Sequence, residues 1–347
     1  MNILVTGGTG FLGAALVDSL CRFDEIEKVF IVTRANEIES AQKLFQCLDK
    51  VELVHGDVTK GNVIFEEKAI EKIKESVEAV IHASGHHNLE GDYQTCFKVN
   101  VLGTQNVLNL TEGLPRCQYF HYLSTFAVSG NYEGVFSEQD LDVGQQHLNH
   151  FSKSKFDAEF MVRNFEFSHI KKRIYRLGAL VGHRKDGKTA TIQGPYSFWS
   201  VLSKLLSKKT LINSIKYLPM PYEKKSLVPL IHVDEAIEIL KKAILSPKGQ
   251  QECLCYHLLS ESIPTMGEFL QESFDEFGFD VTIVPLPKTR MNNMIMDKIG
   301  LPKELLNFLY SKCQYKKDNL IKDYEGSLWN YHHFKKKLLG DAKGAYQ

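Results

Sequence analysis

The chain is 347 residues long, 43% hydrophobic, and carries 42 basic against 42 acidic side chains, a formal net charge of zero. That length fits one large domain with an appended lobe, and the charge balance gives no global attraction for nucleic acid or an anionic membrane surface. The seven cysteines are odd in number and scattered; only Cys253 and Cys255 lie close, on one face of a strand rather than at a zinc or redox spacing, so free thiols in a reducing, cytoplasmic setting are expected.

No signal peptide is expected, because an apolar strand starts at Met1, and no apolar run approaches membrane-spanning length. That first run, Met1 to Thr6, has the pattern of a buried parallel strand. It leads into Gly7-Gly8-Thr9-Gly10-Phe11-Leu12-Gly13, and Ala14 to Leu20 continues with helical periodicity. Strand, glycine turn and helix in this order is the setting in which a Gly-rich motif holds a pyrophosphate. Gly7 permits the turn, Gly10 lets the backbone approach phosphate, and Gly13 lets the helix pack close, with the helix N-terminus facing the anion. An ordinary strand-to-helix turn is the plain alternative.

The second strand, Lys28 to Thr33, ends at Arg34, with no carboxylate before Glu37. An arginine there suits a ribose 2′-phosphate, so Arg34 favours NADP(H) over NAD(H); a solvated arginine is the other reading. Val51 to Gly56 forms the next strand and ends at Asp57, placed either to receive an adenine amino group or to cap a turn. Glu78 to Ser84 is a strand leading to a small-residue loop that can lie beside the cofactor. His86 and His87 follow as loop histidines without a metal partner at usable spacing, and no metal site is expected.

Phe97 to Leu110, with Asn100, suits a long helix on the sheet. Gln118 to Leu123 reads as the fifth strand and delivers Ser124 and Thr125 to its carboxyl end, where ligands of open parallel sheets gather. A hydroxyl there can hold a carbonyl oxygen or merely satisfy loop backbone. Asn149 to Lys155 then reads as the start of an active-site helix.

Together these pieces resemble the extended short-chain dehydrogenase/reductase superfamily, and within it the thioester-reductase and fatty-acyl-reductase branch. The matching motifs are Thr6 to Gly13, Val32 to Ala35, Gly56 to Thr59, Val80 to Ala83, Asn100 to Thr104, Leu123 to Thr125, Ser154-Lys155 with Ala158-Glu159, and Tyr175 to Gly178. Leu227 to Asp234 resembles the strand that returns the chain to the nucleotide domain. The resemblance implies an α/β Rossmann fold, a doubly wound parallel sheet with a smaller, mostly helical C-terminal substrate lobe. Residues 1–182, with a return segment of about 226–250, would form the NADP-binding domain, and 183–225 with 251–347 the lobe. It also implies cofactor contacts from Gly7, Thr9, Gly10, Phe11, Leu12, Gly13, Arg34, Asp57, Val58, Ala83, Ser84, Asn100, Lys155 and Leu177.

The implied reaction is hydride transfer between a nicotinamide and a carbonyl carbon. Thr125, with Ser124 beside it, maps as the hydroxyl and Lys155 as the lysine, while Phe151 stands where the proton-handling tyrosine is expected. Loss of positioned proton transfer typically costs about 100- to 10,000-fold in rate. Phe151 therefore reads as an engineered change, as a natural departure with the proton supplied by water, His150, Ser152 or Lys153, or as the mark of a silent NADP-binding protein. Leu177 also departs from the usual proline.

Pro195 to Lys209 has amphipathic helical spacing with an aromatic start, suited to an acyl tunnel or to ordinary core. The tail from Leu301 to Leu339 is helical in character. Lys171-Lys172-Arg173, Lys208-Lys209 and Lys335-Lys336-Lys337 are either solvated faces or a dock for an acidic acyl-carrier protein. The expected partner is a small-molecule carbonyl or an acyl-CoA or acyl-carrier-protein thioester, with homodimerisation open. A nucleotide-sugar epimerase or dehydratase is the alternative enzyme class.

Overall fold

Alternation along the first strand sets the layers. In the computed structural model, which describes residues 1–147, 149–182, 194–289, 294, 296 and 305–346, Ile3 and Val5 of β1 (Asn2–Thr6) are buried in one core and Leu4 in another on the opposite face. The strands continue as β2 (Lys28–Thr33), β3 (Val51–His55), β4 (Val77–His82), β5 (Tyr119–Thr125), β6 (Gly134–Phe136), β7 (Lys171–Leu177), β8 (Ala179–Val181), β9 (Tyr217–Pro221), β10 (Leu230–His232), β11 (Cys253–Leu258), β12 (Thr282–Leu286) and β13 (Cys313–Tyr315). Seven of them form one sheet in the order β11-β7-β5-β4-β1-β2-β3, with every neighbouring pair parallel. The chain leaves β1 towards β2 and β3 and then crosses back to β4. That reversal opens a crevice at the carboxyl ends of β1 and β4, the usual place for a ligand in such sheets.

Helices α1 (Phe11–Leu20), α2 (Ile38–Phe45), α3 (Glu67–Ser76), α4 (Tyr93–Cys96), α5 (Gly103–Glu112) and α6 (His150–Asn164) follow the strands. The helix expected at 97–110 begins earlier, at α4, and passes through a π-helical stretch, Phe97–Leu102, before α5. Asn100 lies in that stretch; one wide turn re-aims side chains relative to a regular helix. Helix α6 starts where its sequence says it should, with Asn149 accepting a 2.8 Å hydrogen bond from the backbone N–H of Ser152.

The lobe has its own core. Helix α7 (Pro195–Leu205) opens on Pro195 after Gly194 at φ +69° and buries Tyr196, Phe198, Trp199 and Leu202 with Phe269, Leu270 and Phe274 of α10 (Met266–Glu276). Between them come α8 (Lys209–Asn213) and α9 (Val233–Leu245), and α9 packs on α1 of the nucleotide domain. Most of the aromatic stripe at Pro195 to Lys209 is therefore core, as the plainer reading had it, although Phe198 also reaches the cavity described below.

One boundary moves. The sequence places residues from 251 onward in the lobe, but Cys253–Leu258 is the edge strand of the large sheet, pairing from Cys253 with Lys172 to Leu258 with Leu177. Cys255 faces one sheet core while Tyr256 and Leu258 face the other, so the strand is buried on both sides. The expected return strand, β10, pairs with β8 in a separate two-stranded sheet, and Ile231 of β10 and Val233 after it lie in the core shared by β1 and α1. The tail mixes helices Leu306–Leu309, Asp318–Tyr324 and Tyr331–Tyr346 with β13; residues 183–193 and 301–304 lie outside the described residues. Among the described residues, no helix is long and apolar enough to cross a membrane.

Candidate active site

The glycine turn is built for close approach. Gly7 has φ +72°, and a Cβ there would lie 2.5 Å from the backbone nitrogen of Ser84. A Cβ on Gly13 would lie 2.2 Å from the carbonyl oxygen of Gly7, so only glycine lets α1 pack against the turn. At Gly10 the nearest atom would be 3.3 Å away, and no side chain caps the helix start. This open cradle at a helix N-terminus fits a pyrophosphate.

The cradle is one end of a cavity of about 730 Å³. Gly7, Thr9, Gly10, Phe11, Leu12, Gly13, Arg34, Asp57, Val58, Ala83, Ser84, Ser124, Thr125, Phe151, Lys155 and Leu177 all line it. Of the residues expected to touch the cofactor, Asn100 alone does not. Its buried amide donates to the Ser154 hydroxyl (2.8 Å) and the His86 carbonyl (3.1 Å), and accepts from the His86 N–H at 2.7 Å. Asn100 clamps the loop after β4 rather than walling the cavity.

Ser124 and Thr125 are adjacent in sequence and separate in role. The Ser124 hydroxyl points into the protein and donates to Glu159 at 2.6 Å. Glu159 is fully buried and also receives Arg176 at 2.8 Å and Arg163 at 3.0 Å. Despite its burial, those guanidinium groups and the Ser124 hydroxyl hold its carboxyl down at about 2. Ser124 thus belongs to a structural ion network. The Thr125 oxygen accepts from the Ala127 N–H at 3.2 Å and donates to no described residue, which leaves its proton for a ligand.

Lys155 is buried on α6, and its ammonium donates to the Tyr122 hydroxyl and the Leu123 carbonyl, both at 2.8 Å. Burial pushes its pKa down to about 7, against the opposing pull of Glu159. One turn earlier, Phe151 packs with Cys96, Ala127, Leu89 and Phe308 in a small apolar cluster. Beside the cradle, Arg34 is ion-paired with Glu37, which lines the cavity too. Asp57 accepts from the Thr59 N–H at 2.8 Å, the turn role expected as one alternative, while still facing the cavity.

Several contacts within the site have no sequence signal of their own. Glu37 is three residues past Arg34, and only the turn after β2 brings the two together. The Glu159–Arg176 pair joins α6 to β7, a contact no local spacing announces. The apolar wall of the cavity, with Phe126 just after β5 and Phe198, Met266, Phe269 and Phe308 from the lobe, is drawn from four separate segments. Lys171-Lys172-Arg173, read as a docking cluster, is mostly interior: Lys172 and Arg173 are buried in β7, with Lys172 donating to the carbonyls of Arg163 and Phe165. A strand between two others has no surface for them to occupy.

A family model described as male sterility protein matches residues 5–237. The chain belongs to that family. Membership of the male sterility family agrees with the expected thioester-reductase and fatty-acyl-reductase branch of the extended short-chain dehydrogenase/reductases. Fatty acyl-CoA reductase 8 of Arabidopsis thaliana is 26% identical over 164 residues, 40% of this chain and 33% of that protein. The chain spans a third or less of the curated relatives it matches, down to 5% of one of them. The terminal R domain from the myxalamid PKS-NRPS biosynthetic pathway has a similar fold, with a TM-score of 0.73 at 22% identity over 94% of this chain and 85% of the domain. UDP-glucuronic acid 4-epimerase from Bacillus cereus, solved with UDP-glucuronic acid and NAD, has a TM-score of 0.68 at 16% identity over the whole of both chains.

Proposed function

We propose that this member of the male sterility family is an NAD(P)H-dependent reductase of a carbonyl or acyl thioester attached to an apolar chain. One observation carries the reading: the glycine cradle, Thr125 and Lys155 face a single cavity whose far wall, contributed by the lobe, is apolar. A bound reduced dinucleotide would supply a hydride. The cradle and the α1 N-terminus would hold its pyrophosphate, Arg34 and Glu37 would meet the adenine-side ribose, and Lys155 the nicotinamide-side ribose. Thr125 would donate a hydrogen bond from its hydroxyl to the carbonyl oxygen, polarising it and fixing its distance from the lysine. Phe126, Phe198, Met266, Phe269 and Phe308 would exclude water around an acyl chain.

Among the described residues, the cations on the cavity wall are Arg34 and Lys155, and both belong to the nucleotide side. An apolar lobe wall favours an acyl chain over a sugar diphosphate. The fatty acyl-CoA reductase relative and the R domain of a PKS-NRPS pathway support the same substrate class, either as a coenzyme A or as a carrier-protein thioester. NADP(H) is the preferred cofactor on the strength of Arg34, with NAD(H) competing through Glu37. The test is oxidation of NADPH and NADH with acyl-CoA thioesters from acetyl to palmitoyl. The reading predicts turnover that rises with chain length over the shorter members; dinucleotide binding without consumption on any of them would refute it.

A further inference from the structure

The site as described has a hydroxyl and a lysine but, with Phe151 in place, no phenol to handle charge on the reacting oxygen. The loop between β4 and α4 carries an imidazole beside the Phe151 ring. His87 lines the cavity, and its ring packs edge-on against the ring of Phe151, with centroids 6.1 Å apart. The imidazole is accessible from the cavity, and among the described residues neither of its ring nitrogens has a hydrogen-bond partner. A polar ring held against an apolar one without a partner of its own is poised for a ligand.

The position of His87 is fixed by the elements that carry the rest of the site. The Asn100 amide grips both the N–H and the carbonyl of His86, the residue before it. Asn100 in turn donates to Ser154, and Ser154 donates to the Phe151 carbonyl at 2.9 Å. One hydrogen-bonded chain thus ties the histidine loop to the turn of α6 that displays Phe151.

We infer that His87 takes over the charge-handling role at this site, donating a hydrogen bond from a ring nitrogen to the oxygen of the substrate carbonyl opposite Thr125. The inference rests on the proposed reductase function. When hydride adds to the carbonyl carbon, a C–H bond forms and the C=O π pair moves onto oxygen. His87 and Thr125 would hold that negative charge, and the oxygen would take its proton from water entering the cavity. The charges facing His87 come from Lys155 on α6 and His86 on its own loop. Enclosure by the cavity walls, then Lys155, then His86 push its pKa down to about 4, so the ring is neutral near pH 7. A neutral imidazole can polarise a carbonyl without first being protonated.

The experiment compares the parent chain, His87→Gln, Phe151→Tyr and the double variant, with decanal and decanoyl-CoA as probes. Turnover and dinucleotide affinity by fluorescence titration are read on each. The inference predicts that His87→Gln lowers kcat/KM by about 100-fold, the scale of one positioned proton-handling or oxyanion-binding group. Dinucleotide affinity should stay within about threefold, since the 87 ring serves the carbonyl and not the phosphates or ribose. Adding Phe151→Tyr to His87→Gln should recover most of the loss by restoring a phenol. Undiminished activity in His87→Gln, or no recovery in the double variant, would overturn it. If the parent binds dinucleotide but reduces neither probe, the reductase reading fails by itself. The ring-nitrogen NMR signals of His87 on adding decanamide, an inert carbonyl, then decide this inference: a shift supports it and no shift overturns it.

Discussion

The ammonium of Lys155 lies 2.8 Å from the hydroxyl of Tyr122, so the phenol in contact with the cavity lysine is on strand β5 and not on α6. Tyr122 is fully buried, and burial raises its pKa far above that of a free phenol, with Glu159 adding to the effect. It anchors the lysine and is no acid. Lys155→Met would leave that anchor while removing a buried ammonium whose charged form is already disfavoured. Dinucleotide affinity is expected to fall at least about tenfold through loss of the ribose contact, with the Tm unchanged or raised. Fluorescence titration and thermal unfolding on the same samples check both halves.

Ser124 and Thr125 should separate stability from catalysis. Ser124→Ala removes a 2.6 Å donor to the buried Glu159 and should cost about 1–3 kcal/mol of folding stability with little change in kcat. Thr125→Val keeps the shape, should leave the Tm within a few degrees, and should lower kcat/KM by about 100-fold. Denaturant unfolding and steady-state kinetics distinguish the two; a catalytic loss in Ser124→Ala with intact stability would contradict the division.

Glu37 should set the cofactor preference. It occupies the Arg34 guanidinium and faces the cavity, so it opposes a 2′-phosphate while offering an acceptor to a free 2′-hydroxyl. Glu37→Gln is expected to tighten NADPH binding by about tenfold and leave NADH equal or weaker, whereas Arg34→Ala weakens NADPH selectively. Binding constants for both dinucleotides, taken at low and physiological salt, test this, and the NADPH gain should shrink as salt rises.

Glu235 carries a pH signature. In the first turn of α9 it receives the Ser260 hydroxyl at 2.6 Å and the Trp329 N–H at 2.8 Å, tying α9 to both later segments. Burial raises its pKa to about 7 from an ordinary 4.5. The folded state therefore holds a proton that the unfolded state releases between those values, and this group's contribution falls as pH rises from about 4.5 to 7. Glu235→Gln cannot ionise. Its stability relative to the parent should improve across that window by up to about 3 kcal/mol and level off above it. Urea midpoints of both chains from pH 4.5 to 8 read the difference directly.

Local pattern carried the nucleotide half well. The glycine turn, the strands ending at Arg34, Asp57 and Thr125, and the helix start at Asn149 are all written in spacing over a few residues, and each lies on the cavity or frames it. What was not legible depends on distant pairings. Cys253–Leu258 gives no local sign that it joins β7 and not the lobe. Ser124 reads as a twin of Thr125 until β5 turns the two to opposite sides, one to Glu159 and one to the cavity. Asn100 reads as a cofactor ligand until the π-helical turn aims it at His86. His87 has no motif at all, and its meaning comes from the ring it packs against.

Following a deuterium label tests the central claim most directly, because it registers even slow turnover. The chain would be incubated with NADPH or NADH deuterated at the transferable position, together with decanoyl-CoA or decanal, and the products examined by mass spectrometry. Reduction at the cavity shared by the glycine cradle, Thr125 and Lys155 predicts deuterium on the former carbonyl carbon of decanal or decanol, and its loss in Lys155→Met. A dinucleotide that binds but passes no deuterium to either probe would contradict it.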